Sequence, residues 1–180
     1  MIFLNPFLLE GIFYSMPEAF KVFIEIPQGS NEKFEYDEKS GSLKLNFVFS
    51  AVGGSASGGK DLVFPFNYGF IPGTMGGDGD QLDAIVLSAE PIPSSSVVEC
   101  KPIGILKTID RGEIDDKIIC VPINDKFAKI YTDIQDLPPD TLAKWTKFYL
   151  EVARQKNKTV EIIGLRNKQE ALEEISKALI

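Results

Sequence analysis

The stretch at 84–122, AIVLSAEPIPSSSVVECKPIGILKTIDRGEIDDKIICVP, decides the fold. Its apolar pieces at 84–88, 96–108 and 117–122 are parted by Pro91, Pro93 and the run Asp110-Arg111-Gly112. Apolar and β-branched side chains suit a pleated, half-buried surface, and Pro, Gly and Asp favour turns, so three strands are predicted here. Toward the N-terminus, KVFIEIP at 21–27 is a further strand closed by Pro27, and KFEYD at 33–37 alternates charged with aromatic residues. SLKLNFVFS at 42–50 follows the turn Glu38-Lys39-Ser40-Gly41, which predicts a hairpin, and 62–66 is another strand-like piece. Short strands at this spacing predict a closed or partly closed barrel. The last third changes period. Pro138-Pro139-Asp140 opens a helix with Leu142, Trp145, Tyr149 and Val152 on one face, a strand is expected at 159–163, and a second helix from about 168 to 179. The fold class is α+β, mainly β: a barrel with flanking C-terminal helices.

Bulk properties narrow the function. A chain of 180 residues suits one domain and buries a real core, and 44% hydrophobic with 25% charged residues is ordinary for a globular protein. A net charge of −7 argues against a nucleic-acid or anionic-membrane binder, though an anionic substrate remains open if cations bridge it to the protein. The chain has no histidine. Its lack removes Ser-His-Asp and Cys-His catalysis and leaves oxygen ligands for any metal. Cys100 and Cys120 sit in apolar runs without a CxxC spacing, as small core residues do. The first twenty residues are apolar, but Pro6 and Glu10 interrupt them and no basic residue precedes Lys21. They are expected to form an N-terminal arm (1–20) rather than a signal peptide or membrane span, with one domain at 21–180 and a cytoplasmic location.

Two loops invite a phosphate or metal reading. Gly54 to Lys60, GSASGGK, approaches a phosphate-binding loop, but Asp61 stands where the motif needs Ser or Thr, and the residues after it look like a strand. A Gly/Ser-rich insertion at about 51–61 is the better reading. Asp78-Gly79-Asp80-Gln81-Leu82-Asp83 is different, because clustered carboxylates repel one another unless a cation offsets them. It is no EF-hand: counting from Asp78, Asp83 falls where the turn glycine belongs and Ala89 where the closing glutamate belongs. A second acidic loop runs from Asp110 through Glu113, Asp115 and Asp116 to Lys117. Two all-oxygen clusters at strand ends favour magnesium, which bridges phosphate oxygens.

These residues resemble the soluble class I inorganic pyrophosphatases. The resemblance runs from about Lys21 to the end and rests on Ile24-Glu25-Ile26-Pro27, Lys33-Phe34-Glu35 and Asn67-Tyr68-Gly69-Phe70-Ile71-Pro72. Asp78-Gly79-Asp80-x-x-Asp83, Pro102-Ile103-Gly104, Asp110, Asp115 and Lys117 follow in family order. It implies a five-stranded OB-like closed barrel and magnesium-dependent hydrolysis of pyrophosphate, with several magnesium ions per site and manganese as a substitute. It also implies a homo-oligomer, with a hexamer common among bacterial members. By this resemblance Asp78, Asp83 and Asp115 would ligate the metals that activate water, and Asp110 would serve further metals on the substrate side. Asp80 would be the general base with Tyr68 beside it, and Glu25 and Glu35 would serve another metal. Lys33 would bind phosphate and Lys117 would orient the aspartates.

The chain also departs from the pattern. Phe47 stands where the family has a phosphate-gripping arginine, and Val152 and Ala153 where it has a Tyr-Lys pair. At roughly 1.5–3 kcal/mol for each charge-assisted contact, three uncompensated losses would gravely weaken binding. Lys60, Arg154 and Arg111 are the candidate replacement donors. Two alternatives therefore stand beside pyrophosphate hydrolysis: a relative acting on another phosphoanhydride or phosphate ester, and a catalytically weak metal- or phosphate-binding relative.

Overall fold

The computed structural model describes residues 19–52 and 60–180, so nearly all of the expected N-terminal arm and most of the Gly/Ser insertion lie outside the described residues. The strands are β1 (Phe20–Ile26), β2 (Glu32–Asp37), β3 (Ser42–Val48), β4 (Asn67–Phe70), β5 (Asp83–Val86), β6 (Val97–Asp110), β7 (Glu113–Ile114), β8 (Lys117–Pro122) and β9 (Val160–Arg166). The helices are α1 (Thr141–Gln155) and α2 (Lys168–Ala178), with 3-10 turns at Lys126–Lys129 and Ile134–Asp136 before them. Strands β1, β4, β5, β8 and β6 pair in that order, and β6 returns to β1, which closes a five-stranded ring. Only β5–β8 is parallel among the ring's pairs. Beyond the ring, β7 and β9 pair with the far part of β6, while β2 and β3 form a separate hairpin.

Closure depends on β6. Its 14 residues meet β1 at one end (Phe20 opposite Cys100), β8 in the middle, and β9 toward the other end. A register shift between Pro102 and Gly104 bends it, as bulges do. Gly104 permits the crowding there, since a Cβ would stand 2.7 Å from the Arg166 carbonyl oxygen. Gly69 is tighter still: a Cβ would fall 1.8 Å from the Phe23 carbonyl oxygen on β1.

The ring strands bury both faces. Along β5 and β8, Ile85, Ile119 and Val121 join the core shared with α1, while Ala84, Val86, Ile118 and Cys120 join the one shared with α2. Burial on both sides explains why these strands are nearly continuous apolar runs rather than alternating ones. Helix α1 docks through Trp145, Phe148, Tyr149 and Val152, and Phe148 meets Phe64 at 5.1 Å and Phe66 at 5.7 Å between ring centroids. The hairpin is held by an aromatic trio, with Tyr36 5.1 Å from Phe23 and 5.7 Å from Phe70.

Two local expectations change. Residues 62–66 are not a strand, although Leu62, Phe64 and Phe66 do alternate inward. That alternation reflects burial in the core shared with α1, not pairing in a sheet. Asn67–Phe70, unmarked in the sequence as a strand, pairs on both sides because Gly69 lets β1 approach.

Candidate active site

The ring brings its charged residues to one end. Parallel β5 and β8 start there, so Asp83 and Lys117 open the two strands as register partners. Antiparallel β6 delivers its last residue, Asp110, to the same place. The cavity, about 830 Å³, is lined by Asp78, Asp80, Asp83, Asp110 and Asp115, by Glu25, Lys33 and Glu35, and by Tyr68, Arg111 and Lys117. Of the expected replacement donors, Lys60 and Arg154 do not line it. Lys60 is exposed beside the Ala51–Asp61 bridge, and Arg154 donates from Nε and Nη2 to the Glu151 carboxylate, at 2.9 and 2.6 Å.

The turn before β5 is held by its own backbone. Gly76 N–H donates to the Asp80 carbonyl at 2.7 Å, Asp80 N–H donates to Asp78 Oδ1 at 3.1 Å, and Gly79 takes φ +87°. Asp78 and Asp80 are left facing solvent at the cavity rim. After β7, adjacent aspartates part ways. Asp116 is buried on Lys107 (2.6 Å) and the Thr108 N–H (3.1 Å), whereas Asp115 turns to the cavity and Lys117.

Lys117 is the hub. Its buried ammonium donates to Asp83 Oδ2 at 2.9 Å and Asp115 Oδ1 at 2.6 Å, and stands 5.9 Å from the ring centroids of both Tyr68 and Tyr149. Burial works against that charge, but Asp83 and Asp115 prevail and hold its pKa well above the usual lysine value. The Tyr68 hydroxyl donates to Asp83 Oδ2, not to Asp80. Lys33 pairs with Glu35 at 2.5 Å, and Asn46 donates to the other Glu35 oxygen at 2.8 Å. Asp110 pairs with Lys158 and, at 3.6 Å, with Arg111, while its Oδ1 has no hydrogen bond among the described residues.

Burial sets the protonation of several carboxylates in the cavity. Burial raises Glu25 to about 7, although the Tyr36 N–H opposes the shift from 2.7 Å. Burial likewise raises Asp115 to about 6, with Lys117 pulling down and Asp83 pushing up. Asp80 is raised by burial and by the charges of Asp78 and Asp83. Among the described residues no three acidic side chains converge closely enough to form a ready-made cage, and Lys117 stands between Asp83 and Asp115. The donor set still fits hard divalent cations: it is all oxygen, it includes an orphaned Asp110 oxygen, and its raised carboxylates would be relieved by positive charge.

Several cavity residues escaped the sequence reading. The spacing along α1 marks Tyr149 only as a packing residue, and no motif in the sequence singles out Phe64, Lys156, Asn157 or Lys158. The available signal was the pair Lys156 and Lys158 just past the helix, a basic spot in an acidic chain.

An acidic, all-oxygen cavity with lysines among the carboxylates, at one end of a closed barrel, is the kind of site found in metal-dependent phosphoryl hydrolases. The inorganic pyrophosphatase family matches residues 22–179. An inorganic pyrophosphatase of Aquifex pyrophilus is 39% identical over 168 residues, covering 91% of this chain and 89% of that protein. Soluble inorganic pyrophosphatase 1 of Arabidopsis thaliana is 35% identical, covering 91% of this chain and 73% of that one. The crystal structure of the Thermus thermophilus inorganic pyrophosphatase superposes with a TM-score of 0.80 at 33% identity, covering 94% of each chain. The chain belongs to the class I inorganic pyrophosphatase family, whose members are metal-dependent hydrolases of a phosphoanhydride bond. Among the described residues no helix is long and apolar enough to cross a membrane.

Proposed function

We propose that this protein hydrolyses inorganic pyrophosphate to two phosphates with magnesium as its cofactor and manganese as a substitute. The observation that carries the reading is the meeting of Asp78, Asp80, Asp83, Asp110 and Asp115 with Glu25, Glu35, Lys33 and Lys117 around one cavity, on the barrel of this family. When bound, magnesium makes an attacking water more acidic and draws charge from the phosphoryl oxygens. Asp78, Asp83 and Asp115 would hold the cations that activate the water, Asp110 would serve further cations on the substrate side, and Glu25 and Glu35 would serve another. Asp80, exposed at the rim with a raised pKa, takes the proton from the attacking water. Tyr68 fixes the Asp83 carboxylate through its donated hydrogen bond, and Lys117 orients Asp83 and Asp115 and balances their charge. Lys33 grips a phosphoryl oxygen, with Arg111 as a further donor lining the cavity.

The test is phosphate release from magnesium pyrophosphate by the wild-type chain and by Asp80→Asn. Turnover that the substitution abolishes supports the reading, and a wild-type chain that releases no phosphate overturns it. Phe47, Val152 and Ala153 favour the alternative of a different phosphoanhydride or phosphate ester, so nucleoside triphosphates and phosphomonoesters belong in the same assay. We further propose a cytoplasmic homo-oligomer, of which a hexamer, common among bacterial members of the family, is one form. Free, buried Cys100 and Cys120 support a reducing compartment. Sedimentation at a single monomer mass would count against the oligomer.

A further inference from the structure

Lys156 differs from the other cations of the cavity. Lys33, Arg111, Lys117 and Lys158 each have a carboxylate within 4.0 Å, whereas Lys156 has none among the described residues. Its ammonium instead donates to Asn46 Oδ1 at 3.0 Å and stands 5.9 Å from the centroid of the Phe47 ring. An aromatic face and an amide oxygen steady a cation without neutralising it. Burial and the neighbouring Lys33 charge lower its pKa to about 8. Two ammonium groups facing one cavity, one lacking a counter-ion, form an arrangement that a shared anion would relieve.

The backbone fixes this placement. Lys156 caps α1, and Asn157 takes φ +49°. Asn157 N–H then returns to the Arg154 carbonyl at 3.3 Å, and Lys158 N–H to the Ala153 carbonyl at 2.9 Å. This is the paired closure of a left-handed helix end. Gln155 clasps Ser50, just past β3, accepting from its N–H at 2.9 Å and donating to its carbonyl at 3.0 Å. The end of α1 is thereby tied to the strand that carries Asn46 and Phe47. Val152 and Lys156, one turn apart, share the cavity-facing side of the helix end.

We infer that Lys156 is a substrate-binding residue that grips a phosphoryl oxygen together with Lys33, supplying from the end of α1 a cation that Phe47, Val152 and Ala153 do not provide. The inference rests on the pyrophosphatase reading for the identity of its ligand. It is tested with Lys156→Met and Lys156→Arg, each checked for folding by circular dichroism. Two measurements are made: steady-state phosphate release from magnesium pyrophosphate, and calorimetric binding of magnesium methylenediphosphonate, which is not hydrolysed. Lys156→Met is expected to weaken analogue binding and lower kcat/KM by roughly ten- to a hundredfold, mainly through KM, with Lys156→Arg recovering most of the loss. Unchanged analogue affinity in a folded Lys156→Met overturns the inference, whether or not the wild type turns over pyrophosphate. A wild type that binds the analogue through Lys156 but releases no phosphate leaves this residue's role standing and removes the reading of the reaction.

Discussion

Asp83 and Lys117 are register partners across the one parallel pair of the ring, and their side chains meet 2.9 Å apart in the lining of the cavity. Their ion pair is both structural and chemical. Lys117 is almost fully buried and has Asp115 as a second partner, so it balances charges that the fold itself has forced together. Taking it away leaves two carboxylates facing each other without compensation. We expect Lys117→Met to destabilise the metal-free protein by about 3 kcal/mol, the usual cost of removing one partner from a buried ion pair. Magnesium should restore part of that loss by supplying the missing positive charge. Urea unfolding with and without magnesium measures both effects, and an unchanged midpoint without the metal would contradict the first.

Asp80 is exposed and its side chain makes no hydrogen bond among the described residues, so its substitution separates chemistry from folding. Asp80→Asn should lower kcat by roughly a hundredfold or more, within the range of a lost general base. Its unfolding free energy should stay within about 0.5 kcal/mol of wild type. A mutant with normal turnover would move the base to another residue.

The raised pKa values of Glu25 (about 7) and Asp115 (about 6) set a pH dependence with a definite sign. Their ordinary values are 4.5 and 3.8, so between roughly pH 4 and 7 the native state binds more protons than the unfolded state. Stability of the metal-free protein should therefore be fully present below that window and should fall as pH rises through it. Magnesium, by favouring the ionised carboxylates, should flatten or reverse the slope. Thermal melting from pH 4 to 8, with and without magnesium, reads this directly. A metal-free protein that gains stability across the window through these groups would refute it, and Glu25→Gln isolates the share of Glu25.

Gly69 tests the ring rather than the chemistry. The predicted overlap of a Cβ with the Phe23 backbone cannot be relieved by a side-chain rotation. Gly69→Ala should cost about 3 kcal/mol or more, at the upper end of overpacking effects, by forcing β1 and β4 apart. Denaturant titration would show it, and a wild-type midpoint would mean that the two strands separate easily.

Much of the architecture was legible along the chain. The run at 117–122 matches β8 residue for residue, and α1 buries Trp145, Tyr149 and Val152 as their spacing implied. These features depend on local apolar periodicity, which a linear reading captures. The piece at 62–66 misled because inward alternation looks the same whether a sheet or a helix covers it, and Asn67–Phe70 was hidden because its pairing depends on a close approach by β1. In the site, the acidic loops stood out by composition, yet only ring closure separates Asp115, facing the cavity, from Asp116, buried on Lys107.

The sequence by itself determined the acidic half of the site, because three aspartates within six residues and no histidine restrict the chemistry to oxygen ligands and hard cations. Tertiary structure decided the cationic half. Which lysine reaches the cavity depends on where α1 ends, on the left-handed turn at Asn157, and on the clasp between Gln155 and Ser50, residues 105 positions apart. A carboxylate cluster is encoded by neighbours in the chain, whereas a lone cation opposite it is placed by packing.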